Sequence, residues 1–483
     1  MLLTYQDLTA IAPTDDKARM EFVRALINQH TGSDLYKTAQ IADEYERGEN
    51  RTIRQFQKLL YDVMGRAQVD TISANYKLPS KFFSRFTNQE NQTLLANGVT
   101  FKDEETKNRL GADFDARCAQ VGKFALDAGV CYAFFNYDHI EVFPVYSSTL
   151  PSFAPLDDEE TGATCAGVRF WKLADNKPLR ATLYELDGYT EYIWRQGTAT
   201  GEILTPKRPY IVRATGDKID EANGTLEYIG ENYPTFPIVP LWANFHHQSE
   251  LVGLRQNIDC YDLIKSGFAN TIDEASILYW TISNAGGMDD VDLAEFVRRL
   301  RTVNAVTVND GEQVQSHSME APYASREAIL SRLEKDLYRD AMAVNTDDIA
   351  AGNVTATQIR AAYDAHNSKV DQYELCVIDF LQGILKVAGL EDTPTFTRSM
   401  IANNTEQMQN LIMAAQYLPK DYITRKALEI MGDGDLADDL LKEMDAENAD
   451  RLKEAEARLK ELEAQNERGN STDNLGSDDT GTA

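Results

Sequence analysis

The sequence predicts a mainly helical α+β protein, because helical and strand-like patterns occupy separate parts of the chain. Residues 16–110 repeat apolar side chains at a spacing typical of amphipathic helices. Residues 130–233 contain short apolar or alternating runs separated by turn-forming stretches, so we expect an antiparallel meander there. The helical spacing returns from residue 249. The predicted strands are residues 131–135, 140–146, 166–171, 181–185 and 191–195.

The later helices enclose a small insert. Helices predicted at 249–276 and 325–344 flank an insert with a short helix at 291–300 and strand signals at 303–308 and 313–317. An Asp-Gly pair between the two strand signals favours a tight hairpin turn. Two helices around a small α/β insert predict a stalk with a tip.

In the first helical part of the chain, the apolar positions are Phe22, Leu26, Phe56, Leu59, Leu60 and Val63.

A polar loop breaks the helical pattern at 345–353, and one very long helix follows it. Thr355 and Gln358 form a capping-box signature, so we expect this helix to start sharply and to run to Ala388. Its apolar stripe is narrow, which is typical of a coiled coil or of copies packed side by side, but a core helix gives the same spacing. The stripe comprises Ile359, Tyr363, His366, Val370, Tyr373, Val377, Phe380, Ile384 and Val387.

The C-terminal part is helical and acidic. After a link at 391–397 we predict helices at 404–417 and 421–431 and a further helix that continues towards residue 468. Residues 432–483 contain 16 acidic and 6 basic side chains. Because residues 469–483 are rich in Ser, Thr, Gly and Asp, we expect a disordered acidic tail.

The composition limits the function classes. The chain has 483 residues and a formal charge of −29, which argues against tight DNA binding over a broad basic face but still allows DNA to slide past. Its five cysteines show no metal-ligand spacing, and we expect reduced thiols. The N-terminus has no basic start with an apolar run, and no segment reaches the length of a membrane span, so we expect a soluble protein that is not secreted.

Few residues suggest chemistry, and the chain has no phosphate-binding GxxxxGK motif. His246 and His247 could form half of a metal site, but no partner ligands stand at a suitable spacing. Asp433 and Asp435 resemble part of a calcium loop, although a helix cap explains them better. Asp347 and Asp348 could form a carboxylate pair of a metal-dependent nuclease. We expect no enzymatic activity, no metal and no cofactor.

Four basic residues flank the 345–353 loop and are candidates for phosphate contacts. The alternative is a solvated helix face on which Arg332 and Arg339 pair with Asp336. The candidates are Arg332, Lys335, Arg339 and Arg360.

Several motifs, taken in order, resemble the portal proteins of tailed bacteriophages with long non-contractile tails. A proline-rich segment, YPTFPIVPLWAN, is similar to the strand that precedes the first stem helix in that family, and a helix that contains NIDCYDLI follows it. The most specific group is LEKDLYR, the GNVTATQI loop segment and the long helix. The last is LPKDYITRKAL before an acidic helical end. These motifs stand at 233–244, 257–264, 333–339, 352–359 and 418–428.

The resemblance implies a portal fold and a ring of about twelve copies, a closed assembly that reuses one interface. In this fold the α/β wing would comprise 1–248, and two stem helices would carry an α/β clip. The long helix would add to the wing and pack against the neighbouring copy, and a helical crown would follow it. The implied boundaries are 249–276 and 325–344 for the stem, 277–324 for the clip, 345–354 for the tunnel loop, 355–390 for the long helix, 391–468 for the crown and 469–483 for the tail.

The resemblance also implies the function and the partners. The ring would sit at one capsid vertex of the virion, assemble in the host cytoplasm, and conduct double-stranded DNA during packaging and ejection. Its expected partners are the terminase large subunit, head-completion or adaptor proteins, and the major capsid and scaffold proteins, with no membrane. A coiled-coil scaffold without a channel and a metal-dependent nuclease are the alternatives. The tunnel-loop residues are Asn345, Thr346, Asp347, Asp348, Ile349, Ala350, Ala351, Gly352 and Asn353, and the inter-subunit residues are Ile359, Tyr363, Val370, Tyr373 and Val377.

Overall fold

The computed structural model forms two compact units. One comprises Met1–Thr346 with Ala362–Ser399, and the other comprises Asp347–Ala361 with Met400–Ala483. Helices and antiparallel sheets are both present, which confirms the α+β class. The structure describes residues 2–61, 65–71, 73–198, 200–212, 218–220, 225–227, 230–275, 279–283, 313–317, 323–346, 356–398, 408, 411–431 and 437–472.

The helices fall mostly where the spacing predicts them. The long helix starts one residue later than expected, and the last helix continues past the predicted start of the tail. A glycine inside a helix costs only about 1 kcal/mol, so Gly469 does not end a helix that is already established. The helices are α1 Tyr5–Thr9, α2 Asp16–Gly32, α3 Asp34–Glu46, α4 Arg51–Gln55, α5 Phe82–Leu95, α6 Glu104–Leu110, α7 Phe114–Ala128, α8 Arg255–Ala275, α9 Tyr323–Asp340, α10 Ala356–Ala388, α11 Lys420–Met431 and α12 Ala437–Thr472.

The strands form a five-stranded sheet of order β10-β9-β8-β7-β6, a three-stranded sheet of order β15-β4-β5, and several two-stranded ladders. All the pairings are antiparallel. The strands are β1 Leu59–Tyr61, β2 Ala67–Val69, β3 Val99–Thr100, β4 Val130–Asn136, β5 His139–Pro144, β6 Ser152–Asp157, β7 Thr164–Trp171, β8 Leu179–Glu185, β9 Gly188–Trp194, β10 Glu202–Arg208, β11 Ile211–Val212, β12 Lys218–Asp220, β13 Thr225–Glu227, β14 Gly230–Glu231, β15 Ile238–Trp242, β16 Tyr279–Ser283, β17 Gln313–His317 and β18 Thr395–Phe396.

The five predicted strands exist, but they belong to two sheets. β4 lies between β15 and β5 and pairs with both, whereas the meander proper runs from β6 to β10. Within the meander, the sequence patterns missed β6 and β10, which contain Pro155 and Pro206. Both are edge strands of the five-stranded sheet, where a residue without a backbone N–H is tolerated. Strand β15, with Pro240, lies in the proline-rich segment that the family resemblance gives as a strand.

One early helix prediction is wrong. Leu59 and Leu60 were expected on a helix, but β1 pairs with β2 as a small hairpin. Helix α4 already ends at Gln55, and Phe56 is 45% exposed. Gly65 between the two strands has φ +75°, the left-handed conformation that favours chain reversal at glycine. Val63 lies outside the described residues.

The insert between α8 and α9 is described only in part. Strand β17 covers the predicted strand at 313–317, and it pairs with β16, which the patterns did not predict. The predicted strand at 303–308, the Asp310-Gly311 turn and the helix at 291–300 lie outside the described residues.

All five cysteines are free. Within the described ranges, every helix is too short or too polar to cross a lipid bilayer.

The largest core joins α5, α7 and α10 to the three-stranded sheet. The approach of α7 to α10 is very close at Gly122, because a side chain there would collide with Tyr373 and Asn91. The Tyr373 hydroxyl donates a hydrogen bond to Asn91 Oδ1 (3.0 Å) across this point. Gly122 therefore allows a buried polar bond to form between the long helix and α5.

We expect Gly122→Ala to lower the midpoint of urea denaturation although alanine is the better helix former. Overpacking costs about 1–3 kcal/mol, which exceeds the gain in helix propensity of about 1 kcal/mol. Gly267→Ala in α8 is the matched control, since a Cβ there would meet no atom within 4 Å apart from its chain neighbours and the backbone of its own helix, and it should raise the midpoint slightly. Equal shifts for both variants would contradict the close approach at Gly122.

Candidate functional site

The break between α9 and α10 is the feature that the sequence singles out, and its first residues are well defined. Asp340 ends α9, and Met342 adopts φ +51°. The Met342 N–H donates to Arg339 O (3.1 Å) and the Ala343 N–H to Tyr338 O (2.9 Å), which together form a Schellman motif. Methionine replaces the usual glycine at a cost of roughly 1–2 kcal/mol, so tertiary contacts must hold this turn.

Three side chains from α5 and α10 provide those contacts. Gln89 binds both backbone groups of one residue: its Oε1 accepts from Val344 N–H (3.0 Å), and its Nε2 donates to Val344 O (3.2 Å). Lys369 Nζ donates to Ala341 O (3.3 Å). His366 Nδ1 lies 3.1 Å from Met342 O. We call Gln89, His366 and Lys369 the loop anchor.

The protonation of His366 follows from its partners. A carbonyl oxygen only accepts, so Nδ1 carries a proton and donates to Met342 O. Burial lowers the pKa of His366, so the ring is neutral near pH 7. Its Nε2 lies 3.0 Å from the hydroxyl oxygen of Thr93, which donates its own proton to Gln89 O (2.7 Å). The ring thus connects α5 to the turn after α9 without a buried charge.

Lys369 joins the anchor to a buried group of charges. Its Nζ lies 2.8 Å from Glu90 Oε2 and 2.6 Å from Glu250 Oε2. The side chains of Lys369, Glu90 and Glu250 are only 17%, 3% and 16% exposed. Burial raises the pKa of Glu90 to about 7. Burial would lower the pKa of Lys369, but the two carboxylates outweigh it and the pKa is raised. Lys369 is therefore charged and holds three segments together.

A second buried group of charges lies beside the first, around Lys123 on α7. Lys123 Nζ is 2.7 Å from Glu46 Oε2 and 3.4 Å from Asp127 Oδ1. Burial raises the pKa of Asp127 to about 7, and the Lys123 charge only partly offsets it. The charge of Lys123 also reaches Glu90. The base of the loop is thus connected electrostatically to α3, α5 and α7.

The predicted tunnel-loop residues are only partly described. Asn345 and Thr346 follow the anchored Val344 directly, whereas Asp347, Asp348, Ile349, Ala350, Ala351, Gly352 and Asn353 lie outside the described residues, as does the predicted cap Thr355. Their role as a DNA-facing loop remains a prediction.

The basic candidates on α9 sit on a solvated, ion-paired face. The Arg332 side chain is 85% exposed and lies 3.7 Å from Asp336. Arg339 is 77% exposed and lies 3.1 Å from the same carboxylate. Lys335 is exposed as well. This is the pairing that the alternative interpretation predicts. The side chain of Arg360 lies outside the described part of the chain.

The stripe on the long helix needs a correction. Tyr363, Val370, Tyr373 and Val377 are 4%, 0%, 1% and 1% exposed within the single chain. The last three pack in the core that contains α5 and α7. Side chains that are buried in their own chain have no surface left for a neighbouring copy, so the inter-subunit interpretation is wrong for these residues. The side chain of Ile359 lies outside the described set.

The histidine pair has a structural explanation. His247 adopts φ +55°, and its ring stacks on Trp242 with 3.6 Å between ring centroids. Burial lowers the pKa of His247. Among the described residues, no group of three His, Cys, Asp or Glu side chains is placed to hold a metal ion. Asp433 and Asp435 lie outside those residues.

Sequence reasoning missed the anchor and a second set of backbone contacts. Asp262, Ser266 and Asn270 stand one turn apart on α8 and are nearly fully buried. Their side chains accept hydrogen bonds from the N–H groups of Ser80 (2.9 Å), Leu78 (3.0 Å) and Tyr76 (2.7 Å). The four-residue spacing of polar side chains on the predicted helix was a usable signal. No comparable signal in the sequence joins Gln89 to Val344.

We expect Gln89→Leu to speed hydrogen exchange of the Val344 amide about fivefold, because the hydrogen bond that this amide donates to the Gln89 side chain is worth about 1 kcal/mol. Exchange would be followed at single-residue resolution. Gln92→Leu is the matched control, since Gln92 lies on the exposed side of the same helix. Unchanged exchange in Gln89→Leu would contradict the anchoring role.

We also expect Asp127→Asn to flatten the pH dependence of stability. The folded-state pKa of about 7 lies above the ordinary value of 3.8, so the folded protein retains a proton that the unfolded chain loses. Wild-type stability from this group therefore falls as the pH rises from about 4 to 7, by at most about 1.4 kcal/mol per pH unit.

Urea denaturation between pH 5 and 7 of both proteins would measure this difference. The buried histidines His30 and His366 titrate in both, so the comparison isolates the carboxyl group. Parallel curves would show that Asp127 is not protonated in the folded state.

Comparison with known proteins identifies the family. The model of the family "Phage portal protein, SPP1 Gp6-like" matches residues 31–462. The portal protein of Bacillus phage SPP1 is 24% identical over 429 residues, which cover 81% of this chain and 79% of that protein. The portal protein of Clostridium phage phiCD119 is 23% identical over 236 residues, or 47% of this chain and 51% of that protein. The chain thus spans about half the length of this second relative.

Two solved structures that contain a chain similar to this one come from gene transfer agent (GTA) particles. A chain of the native GTA virion is 13% identical, with a TM-score of 0.40, over 72% of this chain and 89% of that one. A chain of the neck of the empty GTA particle, computed with C6 symmetry, is 13% identical, with a TM-score of 0.41, over 73% and 90%. The family match covers most of the sequence, from the end of α2 into α12. The chain belongs to the SPP1 Gp6-like family of phage portal proteins.

Proposed function

We propose that this portal protein assembles into a dodecameric ring at one capsid vertex and forms the conduit for double-stranded DNA during packaging and ejection. The observation that carries the proposal is the family match over residues 31–462. The ring also serves as the docking site for the terminase large subunit and for head-completion proteins, and it contacts the capsid and scaffold proteins. It is a structural component of the virion and not an enzyme.

The charge of the chain is compatible with a conduit. At −29 per copy, a channel wall repels phosphate, so DNA can move along it without being held. Arg332 and Arg339 share one acidic partner, Asp336, so the cluster keeps a net positive charge that can guide the backbone. We assign the 345–354 segment to the channel-facing loop, α8 and α9 to the stem, and the residues between them to the clip.

The anchor supports a defined position for this loop. Gln89, His366 and Lys369 hold the backbone from Ala341 to Val344, directly before the loop begins. A loop with a fixed base can present its tip at a constant radius in every copy. The same contacts would transmit a push on the loop to α5 and α10.

Single-particle imaging of the purified protein tests the assembly. We expect rings with a central hole wide enough for duplex DNA. Monomers or dimers under all assembly conditions would contradict the proposal, and rods or filaments would favour a coiled-coil scaffold without a channel. Mg²⁺-dependent DNA cleavage that is abolished by Asp347→Asn would favour the nuclease instead.

Deletion of residues 349–352 tests the loop. We expect rings to form normally but DNA packaging or retention to fall, because the deletion shortens the segment assigned to the channel and leaves the anchored residues in place. Packaging would be measured as nuclease-protected DNA per particle, with deletion of residues 480–483 as the control. Loss of ring assembly would instead make the segment a folding element.

A further inference from the structure

A cavity of about 340 Å³ lies between α8, the start of α9 and the extended segment at 75–77. Lys58, Lys77 and Arg326 line it, and none of the lining residues that the structure describes is acidic. This is unusual in a chain in which 77 acidic residues outnumber 48 basic ones. The three cations come from three different segments, so the fold brings them together.

The extended segment is held rigidly. The Tyr76 and Leu78 N–H groups donate to Asn270 and Ser266 on α8, with Lys77 between them. On the other side of the cavity, Arg326 Nη1 donates to Gly267 O (3.2 Å) and Thr271 Oγ1 (2.6 Å). Both cations therefore have fixed positions relative to α8.

The partners of Lys77 and Arg326 are neutral. Lys77 Nζ donates to Phe56 O and lies 5.0 Å from the centroid of the Phe56 ring. The oxygens that Arg326 binds belong to a carbonyl and a hydroxyl group. Both side chains are half-buried, and half-buried cations usually have acidic partners. Burial and the charge of Lys58 lower the pKa of Lys77, so an anion in the cavity would relieve an existing repulsion.

The walls indicate which anion fits. Ile53 is buried beside the cavity, and Phe56, Tyr76 and Leu263 are 45%, 50% and 41% exposed around it. A carboxylate on a short methylene stem suits cationic groups set among apolar walls. A phosphodiester remains attached to a duplex whose major groove alone is about 12 Å wide, so the duplex is too large to enter a space of 340 Å³.

We propose that this cavity receives a carboxylate side chain from a second copy of the chain. The inference rests on the proposed ring, in which every copy has an identical neighbour. Copies that each carry −29 repel one another, so a contact is favoured where cations of one face carboxylates of the other. The exposed apolar side chains around the cavity add area that a neighbouring copy can cover.

The test compares assembly of the wild type with that of Lys77→Gln/Arg326→Gln. We expect the concentration for half-maximal assembly, measured by analytical ultracentrifugation, to rise about tenfold or more, and its salt dependence to weaken. Lys17→Gln/Lys37→Gln is the matched control, because it removes the same charge at two exposed positions and should assemble like the wild type. Lys77→Arg keeps the charge and should also assemble normally.

Each outcome separates this inference from the proposed ring. Wild-type protein that never assembles would contradict the ring and the cavity together. Normal assembly of the double variant would overturn the cavity assignment alone, whether or not DNA retention changes. Arg326 binds α8 from α9, so its replacement could also disturb the contact between these helices. The variant Lys58→Gln/Lys77→Gln therefore repeats the test with Arg326 unchanged. Thermal melts verify that each variant is folded.

Discussion

The buried ion pairs of Lys369 constrain the rest of the structure. A cation on a buried helix face is acceptable only where carboxylates meet it, and Glu90 and Glu250 do so from α5 and from the turn before α8. This requirement fixes the rotation and the axial position of the long helix. The same ammonium group binds Ala341 O, so the start of the loop is fixed together with the helix.

Neighbouring contacts reinforce that constraint. His366 and Tyr373 lie on the same face of α10 as Lys369, and each makes a hydrogen bond to α5. Gly122 lets the helices approach closely enough for the Tyr373 bond. Polar groups in the middle of a core cost free energy when unpaired, so one helix position satisfies all of them at once. If the loop faces DNA as proposed, such a base would keep it at a constant radius.

The sequence predicted the local structure of this region well and its packing less well. The extent of α10 follows from the period of its apolar residues, and Ala388 ends it as expected. The period shows only that one face is buried; it does not show whether the chain itself or a neighbouring copy covers it. In the structure, the core of the same chain covers Val370 and Val377. A long helix beside a polar loop gave no signal that distinguishes burial within one chain from burial against a neighbouring copy.

The other misses have the same origin. The anchor joins Gln89 to a backbone group that lies far away in the sequence, and a backbone contact carries no residue preference that a pattern can reveal. Strands β6 and β10 contain prolines that weaken a strand signal, yet their edge positions make these prolines harmless. Short-range features such as the Arg332 and Arg339 pairing with Asp336 could be predicted, because helix geometry alone determines them.

The most direct measurement is a double-mutant cycle of Glu90→Gln and Lys369→Met on the free energy of unfolding. Lys369→Met alone should cost about 3–5 kcal/mol, because it leaves two buried carboxylates without their cation. Adding Glu90→Gln should restore part of that loss, with a coupling of at least about 1 kcal/mol. Additive effects within about 0.5 kcal/mol would contradict the claim that this ion pair fixes the long helix and the loop.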